Sequence, residues 1–298
     1  MYTLLLKNFL EENDYFVSKP IDKKVKYNTN NISKMHWLAL LQNKYGFKNI
    51  NTFNCNKKCT SGFEYFFVAD YLNKKVFIKC GTGTIYAKKE FELYNYLNKQ
   101  NNNYFPKGIM YRHLNDNKMF LCIDYIDGET FKNFNFDEAS TDKLNKIFKS
   151  LIDISELLFK NKFIHRDINP DNLIIENDGT VKLIDFQHLI GTTTYRCYKE
   201  ETENIIFPKK LRGTNKKLRP FPFVWDDMYS IYNLLKVFEN KGIMDYDSEV
   251  TKVKKRIGKQ TYYFFNNKFT IKSYFNFKLL IFYKMFNSIF KLIRKIKK

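Results

Sequence analysis

Between Phe163 and Phe186 the chain reads FIHRDINPDNLIIENDGTVKLIDF, and three of its side chains, Asp167, Asn172 and Asp185, are of the types that phosphoryl transfer needs. One carboxylate can take the proton of an attacking hydroxyl, while a second carboxylate and an amide oxygen can hold a hard divalent cation. The spacing brings them together. Two apolar runs, Leu173 to Ile175 and Val181 to Ile184, are joined by Asn177-Asp178-Gly179, and Asp followed by Gly between such runs predicts a tight hairpin. A carboxylate and an amide then stand at the start of the hairpin, and the other carboxylate stands just past its far end. The competing reading is a polar turn between two buried strands. Six or more specified positions in register weigh against it.

IHRDINPDNLII followed by LIDF resembles the catalytic loop and metal-binding segment of the protein kinases, H-R-D-x-x-x-x-N and then D-F-G. The resemblance implies that Asp167 accepts the hydroxyl proton and that Asn172 and Asp185 hold Mg²⁺ against the phosphates of ATP. It makes His165 and Phe186 packing residues of the same site. It also implies an α+β, bilobal protein kinase-like fold with a small β-rich N-lobe and a mainly helical C-lobe. The family's glycine after Phe186 is replaced by Gln187, a residue that avoids the backbone angles glycine permits.

The elements that must position these groups follow from apolar spacing. Gly62 to Ala69 and Lys75 to Lys79 predict two strands with a turn at Asp70 to Lys74, and Val76-Phe77-Ile78-Lys79 resembles V-A-I-K, which implies that Lys79 reaches the α- and β-phosphates. Ala87 to Leu97 predicts an amphipathic helix that offers Glu90 as the partner of Lys79, with Glu92 as the fallback. Gly62 is what remains of a G-x-G-x-x-G loop over the phosphates. Gly81-Thr82-Gly83 invites a dinucleotide reading, but Tyr86 stands where the third glycine is needed. Met119 to Glu129 is a buried strand running into a polar turn, and it resembles the segment that meets the adenine, with Ile123, Asp124, Tyr125 and Ile126 as the hinge. Thr141-Asp142 caps a core helix carrying Leu144, Ile147, Phe148, Leu151, Ile154 and Leu158. Residues 188–222 read as a long loop in the place of an activation segment, where Gly213-Thr214 is kept and Arg219-Pro220-Phe221 replaces A-P-E. Asp227-Met228-Tyr229-Ser230-Ile231 resembles the start of the helix that supports the catalytic loop, with Asp227 as its buried carboxylate.

The 298 residues suffice for two lobes, and a 44% hydrophobic content suffices for their cores. The expected division is a helical extension over 1–50, an N-lobe over 51–123, a C-lobe over 124–245 and a basic tail over 246–298. In the extension, Tyr2 to Glu12 and Ser33 to Tyr45 show helical patterns, the second ended by Gly46, and His36 beside Trp37 reads as a packed residue. The formal charge of +20 calls for an anionic partner without choosing one, and nucleic acid lacks any recognised binding motif here. Cys55, Cys59, Cys80, Cys122 and Cys197 show no paired metal-ligand spacing, and no apolar stretch approaches a membrane span, so a cytoplasmic protein is expected. The last 49 residues hold fourteen Lys and Arg and no acid. From Phe275 the basic residues and the apolar residues repeat on opposite helical faces, which suits either the C-lobe core or an anionic membrane surface.

The leading expectation is an ATP-dependent kinase of protein Ser or Thr. Its resemblance covers roughly Gly62 to Glu239. Such kinases carry Lys two positions after the catalytic Asp, and this chain has Asn169. That difference, together with YIDGET and the absent A-P-E, keeps a small-molecule or lipopolysaccharide or other glycolipid sugar kinase of the same fold as the alternative. Gln187 and the worn glycine loop keep a pseudokinase scaffold as a third.

Overall fold

Apolar spacing switches between periods of two and of 3.6 along the chain, and the backbone follows it. The computed structural model describes residues 34–53, 63–82, 86–100, 103–114, 118–186, 189–191, 218–220, 224–260 and 262–263. The helix expected over Tyr2 to Glu12, Gly62, Cys55, Cys59, Gln187, Cys197, Gly213-Thr214 and the amphipathic segment from Phe275 lie outside the described residues. In chain order the elements are α1 (Lys34–Tyr45), β1 (Lys48–Thr52), β2 (Phe63–Tyr71), β3 (Lys74–Thr82), α2 (Tyr86–Asn98), β4 (Gly108–His113), β5 (Lys118–Asp124), β6 (Gly128–Thr130) and α3 (Thr141–Lys160). They continue with β7 (Phe163–Ile164), a 3-10 turn (Pro170–Asn172), β8 (Leu173–Glu176), β9 (Val181–Leu183), β10 (Ile190–Gly191), β11 (Val224–Trp225), α4 (Asp227–Leu235), α5 (Tyr246–Arg256) and β12 (Tyr262–Tyr263). This is the expected α+β order, strands first and helices later. Among the described residues no helix is long and apolar enough to cross a membrane.

The chain forms two units. The first holds the described residues up to Ser150 together with Pro170–Leu189, and the second holds Leu151–Asn169 with the described residues from Ile190 onward.

In the first unit an antiparallel sheet runs in the order β1-β2-β3-β5-β4. Because side chains alternate across a strand, β3 sends Val76, Ile78 and Cys80 to one face and Lys79 to the other. The first face is sealed by Trp37 and Leu41 of α1, with Phe47, Phe67, Phe120 and Cys122. Burying a side chain of leucine size contributes roughly 1.5–3 kcal/mol, so α1 belongs to this core. His36, expected to pack beside Trp37, is instead exposed, since neighbours in a helix point about 100° apart. The β2–β3 turn is also tighter than expected: the strands pair from Tyr71↔Lys74 outward, and only Leu72 and Asn73 turn, both at positive φ, +48° and +60°. Two left-handed residues match the twist of a hairpin. The cap of α3 is Ser140, whose Oγ accepts from the Lys143 N–H at 3.3 Å, rather than Thr141-Asp142. The six apolar residues expected on the buried face of α3 are all buried.

The β8–β9 hairpin forms as expected, with Leu173↔Leu183 and Ile175↔Val181 in register and Gly179 at φ +88° in the turn. The Lys146 ammonium, first, and then Thr180 hold the Asp178 side chain there, and these hydrogen bonds bring its pKa down to about 2. Strand β6 lies against β8 so closely that a Cβ on Gly128 would meet Ile175 O at 2.2 Å, which fixes glycine at that position.

In the second unit β10 pairs with β7, Ile190↔Ile164, so the loop expected over 188–222 begins with a strand. Strand β11 pairs with β12, and Gln260 ties the chain after α5 to the carbonyls of Leu158 and Phe163.

Candidate active site

Lys79 stands on the face of β3 opposite α1, and α2 brings Glu90 to it. Its ammonium lies 2.7 Å from Glu90 Oε1 and 3.3 Å from Asp185 Oδ1. Burial lowers the pKa of this amine, but the two carboxylates outweigh it and raise the pKa above its ordinary value. Lys79 is therefore a fixed positive charge. Glu92, the fallback partner, instead lies 3.8 Å from Lys88 on its own helix. Tyr94, one turn beyond Glu90, donates its hydroxyl hydrogen to Glu90 Oε1 at 2.7 Å and accepts the Asp185 N–H at 3.0 Å. That bridge was not legible as function, because an aromatic at i+4 reads as core; its signal was that it shares a helix face with Glu90.

Asp185 adopts φ +70°. Such a backbone costs a non-glycine residue about 1–3 kcal/mol and persists only where its surroundings over-determine it. Here the Tyr94 hydroxyl holds its amide, Lys79 holds its carboxylate, and the buried Phe186 ring is clamped edge-on by Tyr94 and Phe105, with centroids 5.0 and 5.3 Å away. The Ile184 N–H donates to Asn172 O at 3.0 Å, so the segment carrying Asp185 runs beside Asn172. A carboxylate and an amide oxygen are hard donors, a set suited to a divalent cation that keeps water and phosphate as its other ligands. Among the described residues no group of three His, Cys, Asp or Glu could hold a metal ion. At the expected hinge, Ile123 is buried, while the Asp124 N–H donates to Lys107 O at 3.0 Å and the Tyr125 N–H to Lys75 O at 3.3 Å. Ile126 follows half-buried.

In the second unit Asp227 organises the loop that carries Asp167. Its two carboxylate oxygens accept the backbone N–H groups of His165 at 2.5 Å and Arg166 at 3.2 Å. Arg166 is held at φ +69° by this grip. His165 is fully buried and its Nδ1 accepts the Asp167 N–H at 3.3 Å, while Asn169 Nδ2 donates to Asp167 O at 3.1 Å. The loop is thus held from behind by side chains. Asp226, which the sequence reading passed over, caps α4 by accepting from Tyr229 N–H at 3.0 Å and also accepts from Gly258 N–H at 2.7 Å.

Burial pushes the Asp227 carboxyl up to about 7, against the two N–H groups that favour its anion. An unfolded Asp titrates near 3.9. Between roughly pH 4 and 7 the folded state therefore binds more protons than the unfolded state, and this group's contribution to stability falls as pH rises through that window. Asp227→Asn removes that slope and puts an NH₂ against a backbone N–H, leaving a buried donor unsatisfied. The expected loss is about 1–3 kcal/mol. Urea unfolding of both proteins from pH 4 to 8 checks both effects.

Comparison with known proteins matches residues 90–202 to the protein kinase domain. A probable serine/threonine-protein kinase of Dictyostelium discoideum is 32% identical over 80 residues, 26% of this chain and 11% of that protein. Another from the same organism is 25% identical over 239 residues, 69% of this chain and 14% of that protein. The serine/threonine-protein kinase cds1 of Schizosaccharomyces pombe is 29% identical over 125 residues, 40% of this chain and 26% of that protein. The chain spans between 11% and 26% of the length of these relatives.

Proposed function

We propose, from the premise that this chain belongs to the protein kinase-like superfamily, that it transfers the γ-phosphate of ATP to a hydroxyl, that of a protein Ser or Thr in the leading reading. The observation that carries this is the buried Lys79 ammonium held between Glu90 and Asp185. A desolvated cation fixed by two carboxylates, one of them beside a second hard oxygen donor, suits a polyphosphate with its metal.

Under this reading Lys79 binds the α- and β-phosphates, and Glu90 and Tyr94 hold Lys79 and the Asp185 segment in register. Asn172 and Asp185 would hold Mg²⁺, which when bound neutralises phosphate charge. Residues Ile123 to Ile126 meet the adenine. The attacking hydroxyl gives its proton to Asp167, whose loop Asp227 keeps in shape.

Asn169 supports a second reading, a small-molecule or glycolipid sugar acceptor, because the lysine of protein Ser/Thr kinases is missing and the asparagine amide bonds the loop backbone instead. In that reading the basic segment from Phe275 would bring the protein to an anionic membrane. Incubation with γ-labelled ATP, Mg²⁺ and separate pools of peptides and of glycans and metabolites tests both. Label in the peptide pool alone supports the Ser/Thr reading; label in the other pool alone transfers the assignment to the second.

A further inference from the structure

Arg219 opens the triplet Arg219-Pro220-Phe221, which the resemblance sets in the place of A-P-E, and nothing in the reading above uses it. It is 7% exposed, and its Nη1 is buried without a hydrogen-bond partner among the described residues. Its guanidinium lies over the Trp225 ring at 5.1 Å. The preceding residue is pinned as well, since Leu218 O accepts from Ser230 Oγ at 2.7 Å. Trp225 and Ser230 flank Asp227, which grips the backbone of His165 and Arg166 just before Asp167. Arg219 and the loop of Asp167 therefore hang from the same end of α4. Burial lowers the pKa of the guanidinium, Asp167 opposes that as an opposite charge, and Arg166 adds to it as a like charge.

A buried guanidinium is costly unless an anion meets its donors. Its planar fork matches phosphate better than an ammonium does. The catalytic loop supplies no cation two residues after Asp167, because Asn169 stands there with its amide turned onto Asp167 O.

We propose that Arg219 is a catalytic residue that contacts the phosphoryl group in flight, supplying the cation that the loop of Asp167 lacks at Asn169. The proposal rests on the phosphotransfer reading. In the step, the acceptor oxygen bonds to the γ-phosphorus as the bond from that phosphorus to the β,γ-bridging oxygen breaks. The electron pair of the broken bond leaves with ADP, and the hydroxyl proton passes to Asp167. Arg219 donates to the equatorial oxygens of the moving group, over which the transition-state charge is spread.

The test uses the full chain with Mg²⁺, the acceptor pool that wild type labels, and either ATP or ATPγS. Arg219→Gln is expected to lower kcat by about 10²–10³-fold, the effect of removing one preorganised donor, with KM for ATP within about threefold of wild type. In Arg219→Gln and Arg219→Lys the ratio of turnover on ATP to turnover on ATPγS is expected to shift at least about tenfold, because Arg219 touches the substituted oxygens. This ratio does not depend on how much of a variant is folded. Adding Asn169→Lys to Arg219→Gln is expected to restore at least about tenfold in kcat, a new cation near the same group. An unchanged ratio, or no recovery with Asn169→Lys, overturns the proposal and leaves Arg219 as a counter-ion of Asp167. A wild type that binds MgATP and labels no pool fails at an earlier point, since it contradicts phosphotransfer itself.

Discussion

Asp167→Asn is expected to slow phosphoryl transfer by about 10²–10⁴-fold, the usual worth of a general base, while the affinity for MgATP stays within about twofold. Asn keeps the shape of the side chain, and the contacts that define the loop use the Asp167 backbone, its N–H to His165 Nδ1 and its C=O from Asn169, so the fold has little reason to change. Asp185→Asn behaves differently in kind. It halves the negative charge around Lys79 and removes the carboxylate available to a cation, so Mg²⁺-dependent binding of ATP itself weakens. Calorimetric titration of ATP with and without Mg²⁺, paired with transfer assays, separates the two variants. Equal loss of binding in both would contradict the assigned roles.

Lys79→Met is expected to abolish transfer and to cost about 3–5 kcal/mol of stability, because breaking a buried pair from one side leaves the other charge uncompensated. Glu90 is fully buried, and its Oε2 has no hydrogen-bond partner among the described residues. Without Lys79 its carboxylate keeps a hydrogen bond from the Tyr94 hydroxyl. Burial already raises the pKa of Glu90, opposed chiefly by Lys79, so in Lys79→Met the carboxyl takes up a proton at a higher pH still. The double variant Lys79→Met with Glu90→Gln is therefore expected to regain part of the stability and none of the activity. Urea unfolding of the two variants beside a transfer assay reads both. Full recovery of turnover in the double variant would show that the pair serves the fold alone.

The hairpin beside Asp167, Asn172 and Asp185 was legible because its backbone signals are local: Asp178-Gly179 makes the turn, the apolar runs make the strands, and the polar residues sit at their ends. Lys79 and Glu90 were legible through periodicity, since period two sends Lys79 away from Val76 and Ile78, and the apolar spacing of α2 turns Glu90 inward. Strand β1 escaped because KNINT offers a single apolar residue, Ile50, and becomes a strand through pairing with β2. The Leu72-Asn73 turn escaped because no glycine marks it; the register of long strands forces those angles. Asp226 and Arg219 escaped for a related reason. Asp226 meets Gly258 and Arg219 meets the charges of the Asp167 loop, groups distant in sequence, and no spacing within a segment reports such contacts.

The most direct measurement is transfer of label from γ-labelled ATP by the wild-type chain, with Mg²⁺ and with EDTA in its place. The predicted result is label on a hydroxyl-bearing acceptor when Mg²⁺ is present and none with EDTA. Saturable binding of MgATP with no label on any acceptor would contradict phosphotransfer and leave a nucleotide-binding scaffold.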